Sequence, residues 1–398
     1  MIKQAVILAG GKGTRLGTLT KTTPKPVIPV AGKPFLSHLL WNLARHGVTE
    51  ILLSTGYLHE VLNESLGDGS RFGVNLTYVQ EESPLGTGGG LRNCLEELHD
   101  RFFVLNGDSI FDINYLDLIN GETDVVLALR KVEDTARYGR VVHENGMVSS
   151  FLEKGESGPG AINGGVYLMS RDVVAALPEG ASSLEKDWFP KLASEGKLSC
   201  RELNGFFIDI GIPEDLERAQ TAIPKWRCKP ALFLDRDGVI NVNHGYVHKI
   251  DDLTWCNGAR EAIKAANDRG WLVLVLTNQA GIGRGYYDHG AFHVFMDYMR
   301  AELAVLGAHI DGVYYCPHHP TEAVGEYLKQ CDCRKPEPGM LKRAIEEWDI
   351  NLEQSVLIGD SESDLIAGER AGVRRVFLFD PDTMSLADEV GKLCKATA

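Results

Sequence analysis

The chain has no apolar run of membrane-spanning length and no excess of positive charge. A transmembrane helix needs about 20 consecutive apolar residues, whereas the apolar stretches here are short and strand-like, as in Ala231–Leu234. No membrane partner is therefore expected. Lys and Arg number 41 against 55 Asp and Glu, a formal net charge of −14. That balance argues against general binding to nucleic acid or acidic membrane surfaces. Anionic small-molecule substrates would need local basic exceptions. Met1 leads directly into Ala5–Leu8 with no signal-like segment, so a cytoplasmic location is expected. Cysteine is sparse, 8 in 398 residues, with a cluster only between Cys316 and Cys333. Such usage fits reduced thiols and one metal site better than a disulfide framework.

What is present is ordinary for a globular protein: 44% hydrophobic and 24% charged residues, enough for a sizeable core. The length favours two domains. In the first half, Ala5–Leu8, Ile51–Ser54, Leu76–Val79, Phe102–Leu105 and Asp124–Leu129 read as strands. Pro34–His46 and Gly89–Leu98 read as helices, with Pro34 suited to a first turn. The alternation predicts an α/β fold with a mostly parallel sheet. Leu216–Lys229 reads as a last helix and a short link. A boundary between Ile223 and Pro230 follows, giving domains of 1–225 and 229–398.

Directly after the first strand stands Ala9-Gly10-Gly11-Lys12-Gly13-Thr14-Arg15-Leu16. Clustered glycines expose backbone N–H groups that accept phosphate oxygens, although a tight strand-to-helix turn uses the same residues. The loop lacks the Gly-Lys-Ser/Thr ending of a P-loop, and its spacing is not the Rossmann G-x-G-x-x-G. Further on, Pro24-Lys25-Pro26 stiffens the backbone around one lysine.

Taken in order, Gly10–Leu16, Leu19-Thr20, Pro24-Lys25-Pro26 and Gly32-Lys33-Pro34 closely resemble the signature of the sugar-phosphate nucleotidylyltransferases. Thr18 stands where a proline is common in that family. The resemblance continues through Pro84-Leu85-Gly86-Thr87-Gly88-Gly89, the family's base-contacting turn, with Gly89 in place of a frequent alanine. It extends to Asn106-Gly107-Asp108, Tyr138-Gly139, Glu153-Lys154, Asn163-Gly164-Gly165 and the closing Ile208–Leu216. It implies that Ala9, Gly10, Gly11, Gly13, Thr14, Arg15, Gly86, Thr87 and Gly88 meet the nucleotide. Gly139, Glu153, Lys154, Asn163 and Gly164 would meet the sugar phosphate, and Asp108 and Asp209 would hold Mg²⁺. In the implied reaction a sugar 1-phosphate attacks the α-phosphorus of a nucleoside triphosphate and pyrophosphate leaves. The attacking oxygen is already ionised, so catalysis reduces to positioning and charge stabilisation. Arg15 can bridge two phosphate oxygens, and Lys25 supplies a point charge. The hexapeptide repeats that end many relatives are missing here.

In the second half, the buried run Ala231–Leu234 leads into Asp235-Arg236-Asp237-Gly238. In extended backbone, residues i and i+2 point the same way, so both carboxylates face one site at a strand's C-terminal end, where open α/β sheets bind ligands. Alone this would read as a polar turn. Leu272–Leu276 then ends in Thr277-Asn278, Arg334-Lys335-Pro336 follows, and Ser355–Ile358 ends in Gly359-Asp360 with Asp364 beyond. This order, from Ala231 to Phe379, resembles the haloacid dehalogenase-like phosphatases. It implies Asp235 as a nucleophile that forms an aspartyl phosphate, with Asp237 as general acid and then general base. Mg²⁺ would rest on Asp235, the carbonyl of Asp237, and Asp360. Thr277, Asn278 and Lys335, with Arg334 beside them, would hold the phosphoryl oxygens, while Asp364 would be structural.

Cys316-Pro317-His318 and Cys331-Asp332-Cys333 form C-x-H-x12-C-x-C. Four soft or borderline ligands in two close pairs match a closed structural Zn²⁺ site, with His319 a competing imidazole. Since Cys333 precedes Arg334-Lys335, the metal would fix the loop presenting those cations. Heptose bisphosphate phosphatases and histidinol-phosphate phosphatases both join these motifs to such a loop. Asn241–His248, Gly281–Gly285 and Tyr314–Pro320 resemble the heptose family far more. Arg284 is either a contact for the phosphate left at the substrate's far end or a surface arginine in a glycine-rich loop. Together the resemblances imply two Rossmann-like three-layer α/β domains with linked chemistry. Heptose 1,7-bisphosphate would lose its 7-phosphate, and the heptose 1-phosphate would take GMP from GTP, giving GDP-heptose for a surface polysaccharide. Guanine and the α-anomer come from that pairing alone. Mannose 1-phosphate as the sugar, a histidinol-phosphatase-like second domain, and a nucleotide-sensing first half remain alternatives at this point.

Overall fold

A computed structural model describes residues 2–11, 13–152, 155 and 157–393. The chain divides into two compact units, Ile2–Pro224 and Lys225 onward. Among the described residues no helix is long and apolar enough to cross a membrane.

Besides the two-residue pair Pro29–Val30 and Lys33–Pro34, the strands of the first unit are β1 (Gln4–Leu8), β2 (Glu50–Thr55), β3 (Asn75–Gln80), β4 (Arg101–Asn106), β5 (Ser109–Phe111), β6 (Val125–Val132), β7 (Val141–Glu144), β8 (Met147–Phe151), β9 (Gly160–Ser170), β10 (Ser199–Glu202) and β11 (Phe207–Asp209). Nine of them form one sheet in the order β3-β2-β1-β4-β9-β6-β10-β8-β7, and β5 pairs with β11 in a separate antiparallel ribbon. The run β3-β2-β1-β4 is parallel throughout. β9 is antiparallel to both β4 and β6, so the expected mostly parallel sheet is half right and the whole is mixed. Asn163, Gly164 and Gly165 hide β9 in the sequence, because they interrupt its apolar pattern. The register slips at that point, between Asn163 and Tyr167, as a bulge does.

The helix expected over Gly89–Leu98 instead spans Gly86–Asn93, with a 3₁₀ turn at Leu95–Glu97. Glycines are poor helix formers, but tertiary contacts hold these. A Cβ on Gly86, Gly88 or Gly89 would fall 2.6, 2.5 and 2.3 Å from Ser182 O, Ser182 Oγ and Gly180 O. Only glycine permits this approach.

The second unit holds β12 (Ala231–Leu234), β13 (Leu272–Asn278), β14 (Gly312–Cys316), β15 (Val356–Gly359) and β16 (Arg375–Leu378). They form one parallel sheet in the order β14-β13-β12-β15-β16. Side chains alternate across it. Leu232 and Leu234 pack with Val273, Val275, Phe292 and Phe295 on one face. Ala231 and Phe233 pack with Leu274, Leu341 and Leu357 on the other. Burial on both faces explains why these strands read as continuous apolar runs.

In each unit the strand order reverses beside the first strand. The chain lays β2 and β3 to one side of β1 and then β4 to the other; likewise β13 and β14 lie to one side of β12 and β15 to the other. Such reversals open a crevice outside the C-terminal ends of the two adjoining strands.

Phe233 is fully buried, so Phe233→Ala should cost about 3–5 kcal/mol of stability in the second unit. Urea unfolding followed by circular dichroism checks this, and an unchanged transition would contradict the packing described.

Candidate active sites

The first crevice, about 620 Å³, lies between the loop after β1 and Asn106–Asp108 after β4. Ala9, Gly10, Gly11, Gly13, Thr14, Arg15, Lys25, Gly86 and Thr87 line it. Gly13 turns the loop in the left-handed region, φ 61°. A Cβ on Gly11 would meet nothing, whereas one on Gly10 would press on the Glu81 carboxylate at 2.8 Å. Arg15 is exposed at the rim.

Lys25 is buried, and its ammonium stands 2.5 Å from Asp108 Oδ2 and 3.9 Å from Asp209 Oδ1. Three residues far apart in sequence thus meet at one point, because Asp108 follows β4 and Asp209 ends β11. Burial and the charge of Asp108 push the Asp209 carboxyl above its usual range, against the pull of Lys25. Two carboxylates converging on one cation are a donor set suited to Mg²⁺.

The residues implied for the sugar phosphate are only partly described. Glu153 and Lys154 lie outside the described residues. Asn163 accepts from the Gly165 N–H at 2.9 Å and donates to the Tyr167 hydroxyl at 3.0 Å. A Cβ on Gly164 would lie 2.5 Å from the Phe111 ring, so packing on β5 also demands a glycine there. Gly139 turns at φ 81°. One lining residue escaped the sequence reading. Glu81 accepts from Ser54 Oγ at 3.0 Å and from the Leu85 N–H at 2.9 Å. Its only sequence signal was its place just before the glycine turn.

The second crevice, about 430 Å³, lies between β12 and β15 and contains Asp235, Asp237, Thr277, Asn278, Arg284, Arg334, Lys335 and Asp360. Carboxylate oxygens of Asp235, Asp360 and Asp364 lie within 4.8 Å of one another. Lys335 is buried against them, its ammonium 2.9 Å from Asp235 and 2.5 Å from Asp364, and it donates to Leu276 O at 2.8 Å. Asp364 also accepts from the Ser361 hydroxyl and N–H, capping the helix Glu362–Arg370. Asp364 thus holds the lysine and the helix end. Burial, helped by the charges of Asp364 and Asp237 and opposed by Lys335, pushes the Asp235 carboxyl up to about 7. Asp360 is raised as well, by burial first and Asp364 second. Carboxylates crowded in this way are a donor set for a divalent cation, which would restore the ionised form.

Asp237 is surrounded by donors. Arg236 reaches it through Nε at 3.2 Å and through Nη2 at 2.8 and 2.7 Å, and Asn241 Nδ2 and Gln279 Nε2 are each 3.0 Å away. Arg236 itself is fully buried, with its guanidinium 5.6 and 5.0 Å from the Phe292 and Phe295 ring centres. Neither Arg236 nor Gln279 was singled out from sequence. Gln279 also bonds the Thr277 hydroxyl at 2.7 Å. The Asn278 amide is spent on Lys335, giving to its carbonyl at 3.2 Å and taking from its N–H at 3.1 Å. Arg284 pairs with Glu322 and lies 5.3 Å from the Tyr246 ring centre.

Beyond β14, the Sγ atoms of Cys316, Cys331 and Cys333 lie 3.2–3.5 Å apart, with His318 Nδ1 at 3.6 and 3.4 Å from Cys316 and Cys333. A tetrahedral zinc with Zn–S bonds of about 2.3 Å has S–S edges of about 3.8 Å; the sulfurs here stand a few tenths of an ångström closer, and three cysteines with one histidine are the ligand types of such a site. His319 lies outside the cluster. Its Nδ1 accepts instead from the N–H groups of Thr321 and Glu322. Arg334 Nη1 donates to His318 O at 3.2 Å, tying the cluster to the cations beside the crevice.

Gly238 turns at φ 89°, and a Cβ there would lie 2.0 Å from Asp360 Oδ2. Displacing Asp360 by about 1 Å in Gly238→Ala should cost about 10²-fold in phosphate release by the second unit. Near-normal release would contradict the placement of Asp360.

Comparison with known proteins finds relatives of each unit. The nucleotidyl transferase family model matches residues 4–225, and the HAD-hydrolase-like model matches residues 332–379. The D-glycero-beta-D-manno-heptose-1,7-bisphosphate 7-phosphatase of Pasteurella multocida is 46% identical over 150 residues, covering 38% of this chain and 81% of that protein. The D-glycero-alpha-D-manno-heptose 1-phosphate guanylyltransferase of Campylobacter jejuni is 40% identical over 217 residues, 53% of this chain and 96% of that protein. The crystal structure of HddC from Yersinia pseudotuberculosis complexed with GMP-PN is 34% identical with a TM-score of 0.51, covering 55% of this chain and 98% of that one. The chain joins two enzyme folds: it belongs to the nucleotidyl transferase family through its first unit and to the HAD-like heptose bisphosphate phosphatases through its second.

Proposed function

We propose that this chain makes GDP-heptose in two steps. Residues 229–398 remove the 7-phosphate of heptose 1,7-bisphosphate, and residues 1–225 transfer GMP from GTP to the resulting heptose 1-phosphate. The observation that carries the reading is the lysine–carboxylate centre in each crevice: Lys25 with Asp108 and Asp209, and Lys335 with Asp235 and Asp364. Both relatives named above act on heptose phosphates, of opposite anomers; 7-dephosphorylation of the α-bisphosphate would give the nucleophile of the second reaction.

In the phosphatase unit, an Asp235 oxygen attacks phosphorus and the P–O bond to the sugar breaks. Asp237 gives its proton to the departing alkoxide, then takes one from the water that cleaves the aspartyl phosphate. Lys335 and Arg334 balance the phosphoryl charge, and the Asn278 clasp keeps the Lys335 backbone in place. Mg²⁺ on Asp235, the Asp237 carbonyl and Asp360 would relieve repulsion between nucleophile and phosphate. Zn²⁺ on Cys316, His318, Cys331 and Cys333 would hold the loop carrying Arg334 and Lys335. Arg284, paired with Glu322 and beside Tyr246, would meet the phosphate that stays on the sugar.

In the transferase unit, a sugar-phosphate oxygen attacks the α-phosphorus and pyrophosphate leaves with the electron pair of the broken bond. Lys25 and Arg15 stabilise the crowded charge, with Mg²⁺ on Asp108 and Asp209 neutralising the phosphates when bound. Glu81 favours guanine: alone among the bases, guanine offers two adjacent Watson–Crick-edge donors, and each Glu81 oxygen keeps a free lone pair beside its one bond.

The test incubates purified protein and Mg²⁺ with each anomer of heptose 1,7-bisphosphate and each nucleoside triphosphate in turn, and follows phosphate, pyrophosphate and nucleotide sugar. GTP with the α-anomer should give all three. Phosphate without pyrophosphate for every nucleotide would sink the transferase assignment for this sugar, and mannose 1-phosphate would be the next substrate to try. Lys25→Ala should lower pyrophosphate release by about 10²–10³-fold and leave phosphate release unchanged; equal loss of both would contradict separate sites. Zinc chelation with Mg²⁺ kept in excess should abolish phosphate release from the bisphosphate and spare nucleotidyl transfer to supplied heptose 1-phosphate. Intact phosphate release after zinc loss would refute the loop's role.

A further inference from the structure

The crevice of the second unit contains one amide whose polar atoms are all engaged. Gln279 follows β13, is buried, and its backbone N–H is fixed on Cys316 O at 2.8 Å. Its amide nitrogen donates twice, to Asp237 Oδ2 at 3.0 Å and to the Thr277 hydroxyl at 2.7 Å. Its amide oxygen accepts from the Tyr287 hydroxyl at 2.6 Å. These partners settle which way the amide points, since a carboxylate accepts and a phenol donates. Tyr287 is itself held. Its ring stacks on His248, with centres 4.4 Å apart and planes inclined by 11°. Gly281 makes room for that ring, because a Cβ there would lie 2.3 Å from it. Burial pushes the phenol up to about 12, so it stays a donor at neutral pH.

Every described partner of the Asp237 carboxyl is a donor: Arg236, Asn241 and Gln279. A proton carried by Asp237 finds no acceptor among them, and the oxygen leaving with the sugar is the acceptor that remains. Two of the three are amides, which also own an acceptor atom. Asn241 is locked by its second bond, to Val242 O at 3.0 Å. Gln279 is locked by Tyr287; turned over, its amide oxygen would face Asp237 and take the proton. The same amide sets the polarity of Thr277, which is buried and lines the crevice. That hydroxyl accepts from Gln279 and has one hydrogen of its own to give. With no other partner among the described residues, the hydrogen is left for a phosphoryl oxygen.

We propose that Gln279, held by Tyr287, is a positioning residue for phosphate removal. It keeps the Asp237 proton for the departing sugar and turns the Thr277 hydrogen toward the phosphoryl group. In that step an Asp235 oxygen bonds to phosphorus and the bond from phosphorus to the sugar oxygen breaks. Its electron pair stays on the sugar oxygen, which takes the Asp237 proton. Tyr287 acts through Gln279. This inference rests on the phosphatase reading of the second crevice.

The test compares two substrates on the full chain with Mg²⁺ and no nucleotide. One is heptose 1,7-bisphosphate, and the other carries sulfur in place of the oxygen that bridges carbon 7 to phosphorus. A thiol has a pKa of about 8.5, so a thiolate departs without a proton, whereas an alkoxide needs one. With protein in excess over substrate, release of the 1-phosphate or of its 7-thiol reports the first step alone. Gln279→Met removes the amide at similar length. It should slow the oxygen substrate by about 10²-fold and the sulfur substrate by about 10-fold, the share of Thr277. Tyr287→Phe keeps the ring and its stack, so it decides the matter should Gln279→Met fail to fold. It should slow the oxygen substrate by about 10-fold and the sulfur substrate by less. The double variant should lose no more than Gln279→Met alone. Equal loss on both substrates in either variant overturns the proposal, as does a Tyr287→Phe protein with the wild-type rate on the oxygen substrate. A wild type that releases no phosphate from heptose 1,7-bisphosphate would instead fault the phosphatase reading.

Discussion

A buried lysine set between carboxylates is the constraint on which both units depend. Lys25 faces Asp108 and Asp209, and Lys335 faces Asp235 and Asp364. Each crevice gathers acidic groups, and burial drives such groups toward the neutral acid. The raised carboxyls of Asp209, Asp235 and Asp360 record that tension. The lysines relieve part of it and remain as fixed positive charge for the phosphate. Neither lysine is replaceable by solvent, because both are almost wholly buried.

The surrounding structure serves to bring these groups together. Strand reversal puts β1 beside β4 and β12 beside β15, so residues just beyond their C-terminal ends share a crevice. Glycines at the ends of these strands allow the approach. Gly107 would press a Cβ to 2.9 Å from Leu8 O, and Gly238 would press one into Asp360. Where no strand supplies a cation, a loop does, and the Cys316–Cys333 cluster stands beside Arg334 and Lys335 in sequence.

The sequence disclosed the parts of the fold that repeat a simple pattern. β1, β2, β4, β12, β13 and β15 are buried apolar runs, and each was readable. β9 was not, since its bulge at Asn163–Gly165 breaks the pattern, and without β9 the mixed character of the first sheet stays hidden. The site residues divide similarly. Residues in contiguous motifs, such as Arg15, Lys25, Asp235 and Lys335, were visible. Glu81, Arg236 and Gln279 act through side chains that meet only in the fold: Gln279 lies 42 positions from Asp237, and no spacing rule joins them. The glycine turn reads as a nucleotide contact in sequence, whereas its packing against Gly180 and Ser182 was not legible.

The most direct test of two linked chemistries in one chain is a single incubation in ¹⁸O-labelled water, with heptose 1,7-bisphosphate, GTP and Mg²⁺, followed by mass spectrometry of every product. Water attacks only the aspartyl phosphate in this account, so label should enter the released phosphate alone. Pyrophosphate, guanosine phosphates and GDP-heptose should stay unlabelled. Label in the sugar would contradict attack at phosphorus in the second unit, and label in GMP would show hydrolysis where the first unit should transfer.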